Sequence, residues 1–137
     1  MKNILFIASE AVPFIKTGGL ADVAGSLPKY FDKEKYDVRV MLPKYMCMKD
    51  EWKEKLQYHT HFYMDLNWRK QYVGVLEMEY DGIKFYFIDN EYYFNGYAPY
   101  GDMYADIEKF AFFSKAVLSA LPLIDFRPDI IHCHDWQ

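Results

Sequence analysis

The sequence predicts an α/β fold, a sheet of parallel strands joined by helices with an antiparallel β-hairpin inserted. Three observations carry that reading. Strand, helix and strand patterns follow one another at the start of the chain, an Asp81-Gly82 turn divides two β-rich runs in the middle, and a helix and a strand follow near the end. At 137 residues the chain is about one domain's worth, and no repeat, low-complexity tract or Pro/Ser-rich linker gives a reason to divide it.

The first element, Ile4 to Ala8, is a continuous apolar run, as expected for a parallel strand buried on both faces. From Leu20 the period becomes helical, with Leu20, Val23, Ala24, Leu27 and Phe31 three or four apart. Thr17 or Gly19 is placed to cap this helix, and Pro28 should kink or end it. Asp37 to Pro43 reads as the second strand, which completes a right-handed β-α-β unit. A short charged helix is expected between Met46 and Leu56, followed by weak alternation from Tyr58 to Leu66. Gln71 to Tyr80 and Ile83 to Ile88 flank Asp81-Gly82, which supplies the positive φ angles of a tight hairpin. Asn90 to Gly101 is a loop that holds Tyr92, Tyr93, Phe94, Tyr97 and Tyr100; such rings can line a sugar cleft or pin the loop by their own packing. Met103 to Leu121 is the longest helix, with Phe110, Phe113, Val117, Ala120 and Leu121 as its core face. Asp129 to Cys133 is a further apolar strand.

Composition narrows the function. Hydrophobic residues make up 52% of the chain and aromatics 20%, enough for a sizeable core, so default disorder is excluded. The net charge is −4 and the longest basic run is Arg69-Lys70, which argues against a nucleic-acid or anionic-membrane partner. Cys47 and Cys133 are too few for a disulfide framework, fit a reducing compartment, and read as small buried hydrophobes. The N-terminal apolar run ends at Ser9-Glu10, short of a signal sequence. The stretch from Phe110 to Phe126 contains Lys115 and Asp125, so no membrane span is expected.

In open α/β sheets ligands bind beyond the carboxyl ends of the strands, so chemistry is sought after Ala8 and after Cys133. After Ala8, Lys16, Gly18 and Gly19 precede a helix N-terminus. Gly18 and Gly19 allow close backbone approach, the helix end favours an anion, and Lys16 adds a mobile positive charge. This suits a diphosphate, although an ordinary loop with a solvated lysine has the same composition and neither common phosphate-loop motif is matched. Asp22 would favour the helix dipole, hold Lys16, or bind a sugar hydroxyl, and Glu10 is equally open.

After Cys133, the run His132-Cys133-His134-Asp135 admits several readings. Strand alternation puts His132 and His134 on one face and turns Cys133 away, which disfavours both a zinc site and a cysteine nucleophile. The remaining readings are a strand end with satisfied polar groups and a ligand-facing His134, Asp135 and Trp136. His59 and His61 share a strand face without a third ligand and read as surface residues.

Together these segments resemble one family. Ser9-Glu10, Pro13 and Lys16-Thr17-Gly18-Gly19-Leu20-Ala21-Asp22-Val23 are similar to the N-terminal signature of bacterial glycogen synthases and plant starch synthases. Gly25, Leu27-Pro28 and Leu42-Pro43 continue it, and Asp129 to Trp136 is similar to a later motif of that family. The resemblance covers the whole chain as the beginning of a longer protein. It implies a Rossmann-like N-terminal domain of a GT-B glycosyltransferase, incomplete here, with residues 1–137 as the first part of the acceptor-side domain and the nucleotide-binding domain beyond it.

The implied reaction moves glucose from ADP-glucose to the non-reducing 4-hydroxyl of an α-1,4-glucan, with retention and with no metal or other cofactor. Lys16, Gly18 and Gly19 would then meet the donor diphosphate and glucose, Glu10 and Asp22 would support the Lys16 loop, and His134 and Asp135 would stand near the reaction centre. The Met-Lys-Asn start favours the bacterial, cytoplasmic form. The chain departs from the family pattern at Tyr93-Phe94-Asn95-Gly96, where an aromatic followed by Asp-Arg is common, at Lys109 and at Gln137. By itself the chain is expected to be inactive and to self-associate or fold poorly. A stand-alone nucleotide- or glucan-binding module and a non-catalytic glucan-binding regulator are the alternatives.

Overall fold

The computed structural model describes residues 1–137. Strands β1 (Lys2–Ile7), β2 (Tyr36–Pro43), β3 (Gln57–Leu66), β4 (Arg69–Tyr80), β5 (Ile83–Asp89) and β6 (Ile130–Cys133) form one sheet in the order β3-β4-β5-β2-β1-β6. Helices α1 (Gly19–Ser26), α2 (Asp50–Lys53) and α3 (Met103–Ala120) accompany it.

The β1-α1-β2 unit forms as its pattern predicts, with β1 parallel to both β2 and β6. Pro28 acts as expected: α1 gives way to a 3-10 turn over Leu27–Tyr30. The cap differs. Gly18 is the N-cap residue and no side chain caps the helix, so neither Thr17 nor Gly19 does the work expected of it. Thr17 is instead turned back toward Glu10, which accepts from its N–H and its hydroxyl.

Asp81 and Gly82 have φ of 53° and 79°, the left-handed pair that a two-residue turn between β4 and β5 requires. The hairpin is built into the sheet: β5 pairs antiparallel with β4 on one side and parallel with β2 on the other, and β3 adds a further antiparallel strand. The helix expected between Met46 and Leu56 contracts to the single turn of α2.

Leu5, Phe6, Val40, Met41, Leu42, Phe85 and Phe87 form the centre of the core. α3 buries Phe110, Phe113, Val117 and Ala120 as its pattern predicts, together with Phe112 and Ala116; Leu121 is only half-buried and starts a 3-10 turn. Phe14, in the loop before α1, contacts the rings of Phe85 and Phe87 at 4.7 and 5.2 Å and so anchors that loop on the sheet. Residues of β6 are exposed throughout, and Cys133 is exposed rather than buried, because β6 pairs only with β1 and α3 leaves its outer edge uncovered. Cys47 is half-buried.

Candidate functional site

The two segments singled out by the sequence meet at the carboxyl edge of the sheet. Ile7 of β1 lies opposite Cys133 of β6, and the His134 N–H donates to the Ile7 carbonyl at 3.0 Å. Ser9 and Glu10 therefore leave the sheet beside His134 and Asp135. The signal for this was topological: adjacent parallel strands must deliver their following loops to the same edge.

Glu10 is 2% exposed. A carboxylate this buried needs partners, and it accepts from the Thr17 hydroxyl at 2.6 Å, the Thr17 N–H at 3.0 Å and the Gly18 N–H at 3.2 Å. Glu10 thus folds the glycine loop back against the end of β1. Lys16 lies at the surface of that loop, and its Nζ reaches Asp22 of α1 at 2.9 Å. Both side chains are about half exposed, at 53% and 54%, so the pair restrains the ammonium without burying it.

Gly18 and Gly19 tell more by what surrounds them. A Cβ at either position would meet nothing within 4 Å, and Gly18 has an extended backbone that any residue adopts. The fold of this chain therefore does not demand glycine at these positions. Their open surroundings leave the helix N-terminus free for close approach from outside.

On the β6 side, the His134 ring packs on Phe6 at 4.9 Å and stacks on His132 at 4.3 Å. Burial lowers the His134 pKa, and the neighbouring His132 lowers it further, so the neutral imidazole is favoured. Its Nε2 is buried and has no hydrogen-bond partner. Cys133 lines a groove beside α3 with Ile131, Phe113 and Leu118, and His134 borders the same groove. No group of three or more His, Cys, Asp or Glu side chains converges in a metal-holding arrangement.

Asp135 has φ of 60°, in the left-handed region where non-glycine residues are uncommon and Asp is among the better tolerated. Its Oδ1 accepts from the Trp136 N–H at 2.8 Å, and the Trp136 ring rests on Phe110 of α3 at 5.7 Å. Asp135 is thus a side-chain-braced aspartate in a backbone conformation that few residues adopt, at the edge where two parallel strands end.

Sequence reasoning did not identify a network behind these groups. The Tyr45 hydroxyl donates to the Ser9 carbonyl at 2.6 Å, and the Ser9 hydroxyl and the Tyr100 hydroxyl share a hydrogen bond of 2.5 Å. Burial raises the Tyr100 pKa, the Ser9 bond opposes this, and the nearby carboxylates of Glu10 and then Asp135 raise it again. Tyr100 therefore stands between the two segments. The other loop aromatics divide: Tyr93 and Phe94 are buried on Phe112 at 4.6 and 5.9 Å, while Tyr92 and Tyr97 are exposed. Lys109, a departure from the expected pattern, bonds the Pro99 carbonyl at 2.9 Å and ties the same loop to α3.

A β-α-β unit with a glycine loop, a buried carboxylate behind it and a His-Asp pair just after the adjacent parallel strand defines a Rossmann-like unit. The sequence places the chain more narrowly: residues 3–137 match the family model for the starch synthase catalytic domain, and the chain belongs to that family.

It is 73% identical over 137 residues to a glycogen synthase of Lachnospira eligens, and 71% identical to one of Lachnoclostridium phytofermentans, covering all of this chain and 29% of each relative. Among solved structures it resembles the catalytic domain of starch synthase IV from Arabidopsis thaliana bound to ADP and acarbose, with a TM-score of 0.80 and 29% identity over 98% of this chain and 28% of that one. The chain therefore spans less than a third of the length of these relatives.

Proposed function

We propose that residues 1–137 are the first part of the acceptor-side domain of a GT-B glucan synthase, which transfers glucose from ADP-glucose to the non-reducing 4-hydroxyl of an α-1,4-glucan with retention. The observation that carries the reading is that the Glu10-braced Lys16 loop, which follows β1, and His134 and Asp135, which follow β6, leave the same edge of the sheet. The names of the relatives and the ADP and acarbose of the plant structure support the same donor and acceptor chemistry. This chain would supply one wall of the site, and the complete protein the rest. A cytoplasmic location fits this reading, and no helix is long and apolar enough to cross a membrane.

In this mechanism the bond from the glucose anomeric carbon to the diphosphate breaks as a new bond to the acceptor hydroxyl oxygen forms on the same face of the sugar, and the hydroxyl proton passes to the departing phosphate oxygen. Negative charge develops on the departing ADP. Lys16, oriented by Asp22 yet half exposed, swings toward the diphosphate, while Gly18 and Gly19 let the helix N-terminus approach the phosphate and glucose. Glu10 keeps that loop folded without touching the donor. His134 and the braced carboxylate of Asp135 stand on the sugar side of the cleft in this reading and fix the orientation of the sugar.

The magnitude follows from the charges. A unit pair at about 4 Å near a protein surface is worth about 4 kcal/mol, and release from Asp22 costs up to about 1 kcal/mol. Lys16→Ala in the complete protein should therefore lower kcat/KM for ADP-glucose at least about tenfold. Glucose incorporation into glycogen is measured from ADP-glucose and from UDP-glucose. Unchanged kinetics of the variant would remove Lys16 from the mechanism, and failure of the wild type with both donors would refute the transfer reaction.

A further inference from the structure

The loop between β5 and α3 is exposed from Asn95 to Ala98, yet the residues that follow are held by one face of α3. The Lys109 ammonium donates to the carbonyl of the buried Pro99 at 2.9 Å, and Asp106 Oδ2 accepts from the Gly101 N–H at 3.0 Å. Lys109 and Asp106 stand one helical turn apart and pair with each other at 3.4 Å. The Pro99 carbonyl and the Gly101 N–H belong to the two peptide groups that flank Tyr100. Peptide groups are planar, so fixing both planes fixes φ and ψ of the residue between them. Tyr100 is therefore gripped on each side by one member of the pair.

The pair is costly where it sits. Its side chains are 12% and 8% exposed, and no other ion pair in the chain is as buried. Two apolar side chains of similar volume would pack α3 against the loop without the desolvation of two charges. They would leave the Pro99 carbonyl without its donor and the Gly101 N–H without its acceptor, so what the charges add is control of the backbone around Tyr100.

That control is transmitted to the end of β1. The Tyr100 hydroxyl shares a 2.5 Å hydrogen bond with the Ser9 hydroxyl, and the Tyr45 hydroxyl fixes the Ser9 carbonyl at 2.6 Å. Ser9 precedes Glu10, whose carboxylate folds the Lys16 loop. The Tyr100 ring rests on Phe110, the residue after Lys109, at 5.9 Å.

We propose that Asp106 and Lys109 are positioning residues for the transfer reaction. Acting through the two peptide groups of Tyr100, they set its hydroxyl on Ser9 and so hold the start of the Glu10-braced loop. The reaction affected rests on the transfer reading, whereas the clamp is a property of the fold.

The test uses the complete protein and Lys109→Met, which keeps an apolar stem and removes the donor. Amide exchange over residues 97–101 reads the clamp and should be at least about tenfold faster, while β1 and β2 keep their protection. The kcat/KM for ADP-glucose should fall about tenfold, and Lys109→Arg, which keeps charge and donors, should stay within about threefold of wild type. Tyr100→Phe removes only the hydroxyl; adding Lys109→Met to it should cost no more than about twofold further, because the clamp acts through that hydroxyl. Fully additive losses would show that the pair merely supports α3 and would overturn the proposal. Unchanged exchange or unchanged kinetics in Lys109→Met overturns it too. A wild type that transfers glucose from neither ADP-glucose nor UDP-glucose refutes the transfer reading by itself, and the exchange measurement still decides the clamp. If Lys109→Met fails to fold because it strands a buried carboxylate, Asp106→Asn/Lys109→Met removes both charges and replaces it in every arm.

Discussion

Replacing Glu10 with alanine removes the acceptor for three hydrogen bonds that fold the glycine loop against β1. Hydrogen bonds to a charged group contribute about 1.5 to 3 kcal/mol each, so the gross loss is roughly 5 to 9 kcal/mol. Two effects reduce it. Thr17 is exposed, so its N–H and hydroxyl regain water, and only the half-buried Gly18 N–H stays poorly served. Removing a carboxylate that is 2% exposed also recovers its desolvation cost. The net destabilisation is then about 2 kcal/mol, concentrated in the loop. Glu10→Gln keeps the shape but turns an NH2 toward one of the donors, and should cost about 1 kcal/mol. Amide hydrogen exchange of the complete protein, followed over residues 16–19, reads the loop directly. Faster exchange there, with kcat/KM for ADP-glucose down at least about tenfold, is expected for Glu10→Ala. Unchanged exchange would refute the brace; faster exchange with unchanged kinetics would refute the role of the loop in donor binding.

A Cβ on Gly25 of α1 would lie 2.3 Å from the Val12 carbonyl oxygen and 2.8 Å from its nitrogen, so Gly25→Ala forces helix and loop apart and should cost about 2 to 3 kcal/mol, read as a lower unfolding midpoint. Gly18→Ala meets open space, so its midpoint should move by less than about 0.5 kcal/mol while donor KM rises. His134 should make stability depend on pH in one direction. Its pKa is lowered in the folded state, so its contribution is complete above the unfolded imidazole value of about 6.5 and is lost as pH falls through the folded value. Denaturation midpoints of wild type and His134→Gln, compared between pH 8 and 5, should converge on the acid side; a constant difference would show that His134 does not titrate across that range.

What was legible in the sequence was local or topological. Asp81-Gly82 specifies its turn by backbone conformation alone, and the periods of β1, α1, β2 and α3 report which faces are buried. That the segments after β1 and after β6 leave the same edge of the sheet followed from the rule for parallel strands. Partners chosen in three dimensions were not legible. Ser9 binds Tyr45 and Tyr100, which are 36 and 91 residues away, and no spacing marks those pairs. The cap of α1 failed for the same reason: Thr17 has a good capping side chain, but the buried Glu10 carboxylate takes both its hydroxyl and its N–H. The burial expected of Cys133 depended on what covers β6, which a four-residue apolar run does not specify.

That uncovered strand makes the behaviour of residues 1–137 by themselves predictable. β6 pairs with β1 on one side only, and Ile130 and Ile131 on it are 47% and 39% exposed. Leu118 of α3 and Trp136 are each 57% exposed, and together with Ile131 they border a groove of about 190 Å³. Unpaired N–H and C=O groups beside apolar side chains form a template for another chain, and nothing charged on β6 itself opposes pairing. At tens of micromolar the 137-residue chain should therefore run as dimers or larger species in light scattering. Ile131→Lys puts a charge in the groove and on the edge, and should shift the population toward monomer while leaving the buried core intact. A monomeric wild-type chain that unfolds cooperatively would show that the edge is too short, or too strongly twisted, to recruit a partner.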